Sequence, residues 1–460
     1  MKVPRTPASP EREDLNRETI AAVATPPGRG GIGIVRISGP RARKIATAIC
    51  GREIGLRSPT VVRFRDMRGE PIDQGLAIFF GAPRSFTGED VVELHGHGGP
   101  VVLDMLLKAT MAQGARLAHP GEFTQRAFLN GKLDLAQAEA VADLISSRSE
   151  AAARSALRSL SGSFSTRVHA LAREMLELRI YVEGAIDFPE DEVDFVAEGF
   201  VLERVERMLD MLGSLLDTAS QGALLNEGIT LVLAGRPNVG KSSLLNRLVG
   251  YDRAIVTETP GTTRDVLSEL VDFDGVPVRI VDTAGLRLSG DEIEREGIRR
   301  ARVQIAEADR ILLVTEDSSP EPVASLISEQ GLPVDRLTVV KNKIDLTGAQ
   351  AGEHTDQGRA EVRVSAMTGA GIDSLRQHLL RAVGYRTEAG VFSARRRHLE
   401  ALGRARDYLG NGANALRDNG AGELLADDLR RAHDELGAIV GTVSSDALLG
   451  EIFARFCIGK

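Results

Sequence analysis

The sequence predicts a multidomain α/β and α protein: a small N-terminal α+β domain, a helical domain, and a doubly wound, mostly parallel α/β domain inserted into the helical one. Three changes of texture along the 460 residues predict this. Short apolar runs broken by Gly and Pro fill the first quarter. An Ala- and Leu-rich stretch almost free of Gly and Pro begins at Leu133. From about Glu227 apolar strands alternate with helical segments, until helical sequence returns.

Residues 1–18 are polar and rich in Pro, Arg and Glu, which reads as a disordered tail and not a signal peptide. From Thr19 the segments TIAAVATPPGRGGIGIVRISG, PIDQGLAIFFGAP and DVVELHGHGG read as strands, and GPVVLDMLLKATMAQGA as a helix, giving an α+β domain over 19–131. Residues 132–226 follow as helices. One run is LDLAQAEAVADLISSRSEAAARSALRSL, a second is TRVHALAREMLELRIYVEGAID, stopping near Pro189. A third carries Leu202, Val205, Leu209, Leu212 and Leu216 along one face. Over 227–386 the strands GITLVLAG, VPVRIVDTAG, DRILLVTED and LTVVKNKID alternate with helices, the pattern of a parallel sheet. Residues 387–460 are helical again. Neither helical part buries much core alone, so the two are expected to pack together around the insert, the other arrangement being two separate helical domains.

Composition removes several classes of function. Hydrophobic residues make up 42% and charged residues 27%, as in an ordinary soluble globular protein. No run of about 18 apolar residues is present, so no membrane partner is expected. Two distant cysteines, Cys50 and Cys457, argue against a disulfide framework and for a reducing, cytoplasmic location. With a formal net charge of -8, a nucleic acid must be held by a local basic patch. Arg395 to His398 is the best such cluster, and a solvated helix start explains it nearly as well. The lack of Trp and the 4% of aromatic residues rule against a single-strand stacking platform.

GRPNVGKS, Gly235 to Ser242, fits G-x-x-x-x-G-K-[ST] between a strand and a helix, the context in which that loop wraps phosphates. Lys241 is suited to the β- and γ-phosphates and Ser242 to Mg²⁺. Nucleotide contacts are expected across Asn238, Val239, Gly240, Lys241, Ser242 and Ser243. DTAG, comprising Asp282, Thr283, Ala284 and Gly285, ends an apolar strand, where Asp282 can hold Mg²⁺ through water. NKID, comprising Asn342, Lys343, Ile344 and Asp345, supplies a carboxylate for the guanine edge, which adenine cannot match. Lys343 is expected over the base. Ser365, Ala366 and Met367 follow the strand EVRV and suit the guanine O6. Four elements in this order predict GTP as ligand and not ATP.

Hydrolysis needs a group to orient water. The residue after DTAG is Leu286, which cannot do so, leaving Asp291, Glu292, Glu294 and Glu296 as candidates. A charge-neutralising group is needed too. Asn238 and the oxygen-rich loop of Thr257, Glu258, Thr259, Pro260, Gly261, Thr262 and Thr263 can form a K⁺ site, with Thr263 as a Mg²⁺ ligand.

These motifs, together with SFTGEDVVELHGHGGP, PGEFTQRAFLNGKLDLAQAEAVADLI, YVEGAIDFPE, PGTTRD, ARRRHL and the terminal FCIGK, resemble the MnmE (TrmE) family of tRNA modification GTPases along nearly the whole chain. The resemblance implies a Ras-like P-loop GTPase domain of the TrmE type, inserted in a helical domain. It also implies an N-terminal domain that dimerises and binds 5-formyltetrahydrofolate or a related tetrahydrofolate. Its activity would be K⁺-activated GTP hydrolysis. With an FAD-dependent MnmG-like partner, the family places a carboxymethylaminomethyl- or aminomethyl-type group on C5 of the wobble uridine of certain tRNAs. Carried over by position, the cation ligand falls on Asn238, with further K⁺ contacts at Thr257, Thr259 and Thr262. The water-orienting glutamate falls on Glu294, acting with Lys241 and Asn238. Folate contacts fall on Arg36, Glu93, Lys132 and Lys460, the last only if the helical domain folds back onto the N-terminal one. The tail before Thr19 is longer than the family's usual start, and Glu258 and Thr259 vary the cation loop.

Cys457 is either a small core residue or a thiolate for one-carbon chemistry. His95 and His97 in LHGHGG look like a metal or acid–base pair, but their flanking glycines favour a tight backbone site. The alternative function is an RNA-binding ribosome-assembly GTPase without modification chemistry, or a GTP-controlled scaffold in which folate only stabilises a dimer.

Overall fold

The computed structural model describes residues 18–187, 199–251, 268–282, 299, 302–356, 358–386, 390–443, 446–454 and 456–459. The chain forms two compact units, Met1–Ala142 with Leu160–Met211 and Ala401–Lys460, and Asp143–Ser159 with Leu212–Glu400.

In the first unit, alternating residues build a six-stranded sheet from β1 (Ile20–Val23), β2 (Gly30–Ser38), β3 (Thr60–Arg65), β4 (Pro71–Phe80), β5 (Val91–Gly98) and β6 (Arg116–Leu117). The order is β3-β4-β5-β2-β1-β6, antiparallel except for β1 beside β6. Period-two alternation sends Val35, Ile37, Val92, Leu94, Ala77 and Phe79 into a core closed by the helices Ala42–Cys50 and Pro100–Ala112 through Ile45, Ile49, Leu103 and Leu106. The same alternation leaves Arg36 and Glu93, which are register partners, on the other face. Cys50 lies in this core, where burial pushes its thiol up to about 12.

Helices from before and after the α/β segment share this unit. Ser163–Asp187 packs along Gly422–Val440, where Gly422 lies against Val182 and Ile186. Asp446–Ala454 packs on Glu122–Leu129. There Phe453 and Phe456 join Leu135 and Phe128 in one cluster. The chain end therefore returns to the N-terminal sheet, and Gly459, at φ +96°, is set so close to Val23 that a Cβ would stand 2.4 Å from its carbonyl oxygen.

The second unit is a seven-stranded sheet of β7 (Ile229–Ala234), β8 (Ser268–Phe273), β9 (Val276–Asp282), β10 (Arg310–Glu316), β11 (Leu337–Asn342), β12 (Gly352–Asp356) and β13 (Arg359–Arg363). The order is β12-β13-β11-β10-β7-β9-β8. The five inner strands are parallel, and β12 and β8 are antiparallel edges. β7 and β10 are buried on both faces, which explains their near-continuous apolar runs. Lys241–Tyr251 and Ile372–Ala382 cover one face through Leu244, Leu248, Leu375 and Leu379, and Val323–Gln330 covers the other through Leu326 and Ile327.

Two features go beyond the sequence reading. The edge strands β8 and β12 are not among the five strands predicted here, the four alternating runs and EVRV. β8 is joined to β9 by a tight Asp-Gly turn, in which the Gly275 N–H donates to Asp272 Oδ1 at 2.5 Å. The helical run from Leu133 is also broken in two, Leu135–Ser146 and Glu150–Leu160. Ser149 makes the break: its hydroxyl accepts the Ala152 N–H at 3.1 Å and donates to Gly275 O at 2.8 Å.

Candidate functional site

The loops leaving β7, β11 and β13 meet the end of β9 at the carboxyl edge of the parallel sheet, where such sheets bind ligands. The loop after β7 turns through Gly235 (φ +133°), Asn238 (φ +65°) and Gly240 (φ +95°). Gly235 passes so near β10 that a Cβ would lie 2.2 Å from Val314 O. The Lys241 ammonium donates to Gly235 O at 2.9 Å and Arg236 O at 2.7 Å, folded onto the loop that precedes it. Ser242 Oγ lies 3.3 Å from Asp282 Oδ2 at the end of β9. A hydroxyl beside a carboxylate is an all-oxygen pair, which fits Mg²⁺, an ion that takes one or two protein oxygens plus phosphates and water. Val239 is buried, while Asn238, Ser242 and Ser243 are exposed.

Asn342 is buried at 2% exposure. Its Nδ2 donates to Val239 O at 2.9 Å and its Oδ1 accepts the Ala366 N–H at 3.0 Å, so one amide staples three loops together. Lys343 adopts φ +66° and donates to Asn238 O at 2.9 Å and to the Glu316 carboxylate. Ile344 is buried beneath it. Asp345 is exposed, and its Oδ1 accepts the Ser365 hydroxyl at 2.5 Å. Ser365 Oγ also accepts the Thr368 N–H at 3.1 Å. Arg247 ties the loop down through the carbonyls of Ala366 and Met367, leaving the Met367 side chain exposed. Thus Asn238 to Ser243, Asp282, Asn342 to Asp345 and Ser365 to Met367 line one edge.

Thr257, Glu258, Thr259, Pro260, Gly261, Thr262, Thr263, Thr283, Ala284, Gly285, Leu286, Asp291, Glu292, Glu294, Glu296 and Lys460 lie outside the described residues. Among the described residues no group of three His, Cys, Asp or Glu is placed to hold a metal.

A second site lies on the open face of the first sheet. Arg36 pairs with Glu93 Oε1 through Nε at 3.0 Å and Nη2 at 2.8 Å. Its Nη1 reaches Gly459 O at 3.5 Å. Its guanidinium lies 5.8 Å from the centres of both the Phe86 and Phe123 rings. Glu93 Oε2 is 3.2 Å from His95 Nε2. Lys132 donates to Pro83 O at 3.1 Å, on the loop that carries Phe86. Arg36, Glu93 and the residue before Lys460 are therefore brought together, with Lys132 along the same loop. A cation, a carboxylate and an exposed aromatic ring are the chemistry a folate needs. Cys457 is exposed, and its carbonyl accepts the Gly121 N–H at 3.4 Å.

His95 and His97 turn to different carboxylates. His97 bonds Asp73 through its N–H at 2.7 Å and its ring Nδ1 at 2.8 Å. Burial pushes the Asp73 carboxyl up, but these bonds outweigh it and hold it below its usual value. A Cβ on Gly96 would stand 2.6 Å from Asp73 Oδ2, the tight backbone site that the flanking glycines suggest. At Arg395 to His398 the helix Arg396–Asn419 begins, with Arg395 paired to Asp143 at 2.6 Å and the Arg396 N–H bonded to Glu227. The sequence reading did not single out Glu316, Phe86 or Asp143. Each acts through a contact with a residue distant in the chain, and the segments that contain them do not by themselves assign them a role.

Two family descriptions match the chain: "GTP-binding protein TrmE N-terminus" over residues 19–132 and "MnmE helical domain" over residues 135–457. The protein named tRNA modification GTPase MnmE from Ectopseudomonas mendocina is 55% identical over 451 residues, spanning 96% of this chain and 99% of that one. Its counterpart from Pseudomonas aeruginosa is 54% identical over 450 residues, with the same shares. Among solved structures, the G domain of the T. maritima FeoB iron transporter is 26% identical, covering 34% of this chain and 98% of its own, at a TM-score of 0.26.

Proposed function

Because this chain belongs to the MnmE family of tRNA modification GTPases, we propose that it is a K⁺-activated GTPase that modifies the wobble uridine of certain tRNAs. In this reading it works with an FAD-dependent MnmG-like partner and a tetrahydrofolate one-carbon donor, as a homodimer in the cytoplasm. It places a carboxymethylaminomethyl- or aminomethyl-type group on C5.

The observation that carries the GTP part is the stapling of three loops by Asn342 beside the exposed Asp345. Asp345 accepts from the guanine edge, Ser365 and Ala366 meet its O6, and Lys343 meets the ring. Lys241 exchanges two loop carbonyls for phosphate oxygens, a stronger, charge-assisted pairing. Ser242 and Asp282, with Thr263, would hold Mg²⁺, which neutralises phosphate charge. Asn238, with Thr257, Thr259 and Thr262, would hold K⁺, which supplies the positive charge that an arginine finger supplies in other GTPases. Glu294 orients the attacking water.

The folate part is supported by the return of the chain end to Arg36. Glu93, held by Arg36, suits the pterin edge and Lys132 the anionic tail, and Lys460 follows the residue already against Arg36. Cys457 is then within three residues of the site, in reach of a role in one-carbon transfer.

Two measurements test this. Hydrolysis in K⁺ is expected to exceed that in Na⁺ by at least about tenfold, since electrostatic groups at a transferring phosphoryl contribute that much or more; equal rates remove the cation mechanism. Equilibrium dialysis is expected to show 5-formyltetrahydrofolate bound by the wild type and lost on Arg36→Ala. No binding by the wild type overturns the folate reading while leaving the GTPase intact.

A further inference from the structure

We infer that Glu316, the last residue of β10, is a positioning residue for the guanine-reading loop, acting by holding the ammonium of Lys343. The inference rests on the reading of Lys343 as a contact of the base.

The parallel register of β10 and β11 sets Glu316 beside Asn342, and the Asp317 N–H donates to Asn342 O at 2.8 Å. The next residue, Lys343, must then turn left-handed, a conformation that costs a residue with a Cβ. Asn238 in the phosphate loop is left-handed too. Only four non-glycine residues among those described have positive φ: Arg57, Asn238, Asp274 and Lys343. Two of these four face each other through a single hydrogen bond, Lys343 Nζ to Asn238 O at 2.9 Å. Strained residues persist where their surroundings over-determine them, and they cluster at ligand clamps.

The hydrogen bond to Asn238 does not by itself fix Lys343. A lysine stem has four rotatable bonds, and one neutral acceptor leaves it room to swing. Glu316 supplies the second acceptor, and a charged one. Asp317 reinforces the same loop from the next position, where its carboxylate accepts the Thr347 hydroxyl at 2.5 Å. The acidic pair at the end of β10 and just past it thus grips NKID and the turn that follows it at three points: the Asn342 carbonyl, the Lys343 ammonium and the Thr347 hydroxyl. Among the described residues neither carboxylate bonds Asp345, Ser365 or Ala366, the groups read as meeting the guanine edge. Their effect is to place Lys343 in advance, so that its ordering is not charged to binding. Both side chains of the Glu316–Lys343 pair remain about one-third exposed, which limits the effect.

The test compares GTP hydrolysis by the full-length wild type, Glu316→Gln, Lys343→Met and the double variant. Glu316→Gln is expected to raise KM about tenfold, the loss of one charge-assisted hydrogen bond at a partly exposed site, with kcat within about twofold and the melting temperature nearly unchanged. The double variant is expected to be no worse than Lys343→Met, because Glu316 acts through that lysine. Lys343→Met impaired with Glu316→Gln at wild-type KM overturns the inference, and so do effects that multiply in the double variant. Lys343→Met at wild-type KM overturns the base-contact reading and the inference with it. If Glu316→Gln does not fold, Glu316→Asp decides: a KM raised about threefold supports the positioning role, since one methylene less weakens the grip, and an unchanged KM overturns it.

Discussion

Replacing Asn342 by Ala separates loop assembly from base recognition. The side chain is 2% exposed and satisfies two buried backbone groups, the carbonyl of Val239 and the N–H of Ala366. Alanine leaves both without a partner, at about 1–3 kcal/mol each. Entry of a water into the vacated space recovers part of this, so the net cost is about 2–4 kcal/mol. Gly240 shows how closely the three loops are fitted, since a Cβ there would stand 2.3 Å from Asn342 Nδ2. The loops come apart at the edge where ligand binds, so binding must restore their order. If about 2 kcal/mol of the cost is taken from binding, GTP affinity falls about 30-fold. Titration with a fluorescent GTP analogue measures the affinity, and the same titration with XTP measures selectivity. Affinity is expected to fall while the ratio of GTP to XTP stays as in the wild type. A Kd within twofold of wild type refutes the staple. A shift of selectivity toward XTP refutes it differently, by showing that Asn342 reads the base itself.

Asp345→Asn is the counterpart: it is expected to weaken GTP about a hundredfold and to strengthen XTP, read by competition, because an amide donates where the carboxylate accepts. Glu122 gives a pH prediction. Its burial pushes its carboxyl up, but hydrogen bonds from Arg116, the His119 N–H and Arg126 outweigh this and bring it from 4.5 down to about 2. The stability it contributes, about 3 kcal/mol, is present above about pH 4.5 and is lost as pH falls toward 2. Glu122→Gln is expected to flatten the urea midpoint across that window, and an unchanged slope removes the assignment. Asp143→Ala is expected to cost about 3 kcal/mol in a thermal melt, because it strands the buried Ser393 hydroxyl and removes one charged partner of the Arg395 guanidinium. Loss of less than about 1 kcal/mol shows that the pair is only a surface contact.

The sequence reveals those parts of this protein that short-range physics dictates. The parallel core was legible because β7 and β10 are buried on both faces and must be apolar throughout. The phosphate loop and NKID were legible because each packs its chemistry into a few consecutive residues. β8 was less so: SELVDF carries three charged or polar residues in six, as an edge strand with one exposed face does. The signal that marks it is the Asp-Gly pair at 274–275 before the run of β9, a hairpin turn and not a loop. The break at Ser147 to Ser149 could be read only as a weak cap, since the partner that makes Ser149 decisive, Gly275, is 126 residues away.

Long-range clamps account for what stayed hidden. Asp143 lies in a stretch whose Ala-rich texture is that of the helices before it, yet its carboxylate holds Ser393 and Arg395, some 250 residues further on. Ser155 O accepts the Ser393 N–H, and Ser159 donates to Ser393 O, so this one residue is bound on both backbone groups and its hydroxyl. Serines and an aspartate are what helix ends and solvated faces also carry, so composition alone does not distinguish them. The distinction arises only when the chain returns past them. The same holds for Arg36, which reads as a surface arginine until Gly459 arrives beside it. Texture assigns a residue by its neighbours in sequence, whereas these polar groups are buried because their partners come from the far side of the insert. A buried ion pair or hydroxyl is retained in such a place because leaving one partner unsatisfied costs several times what the pair gains. Hidden polar clamps are therefore to be looked for where stretches far apart in the chain meet within one unit, as at 391–395 and 456–459 here.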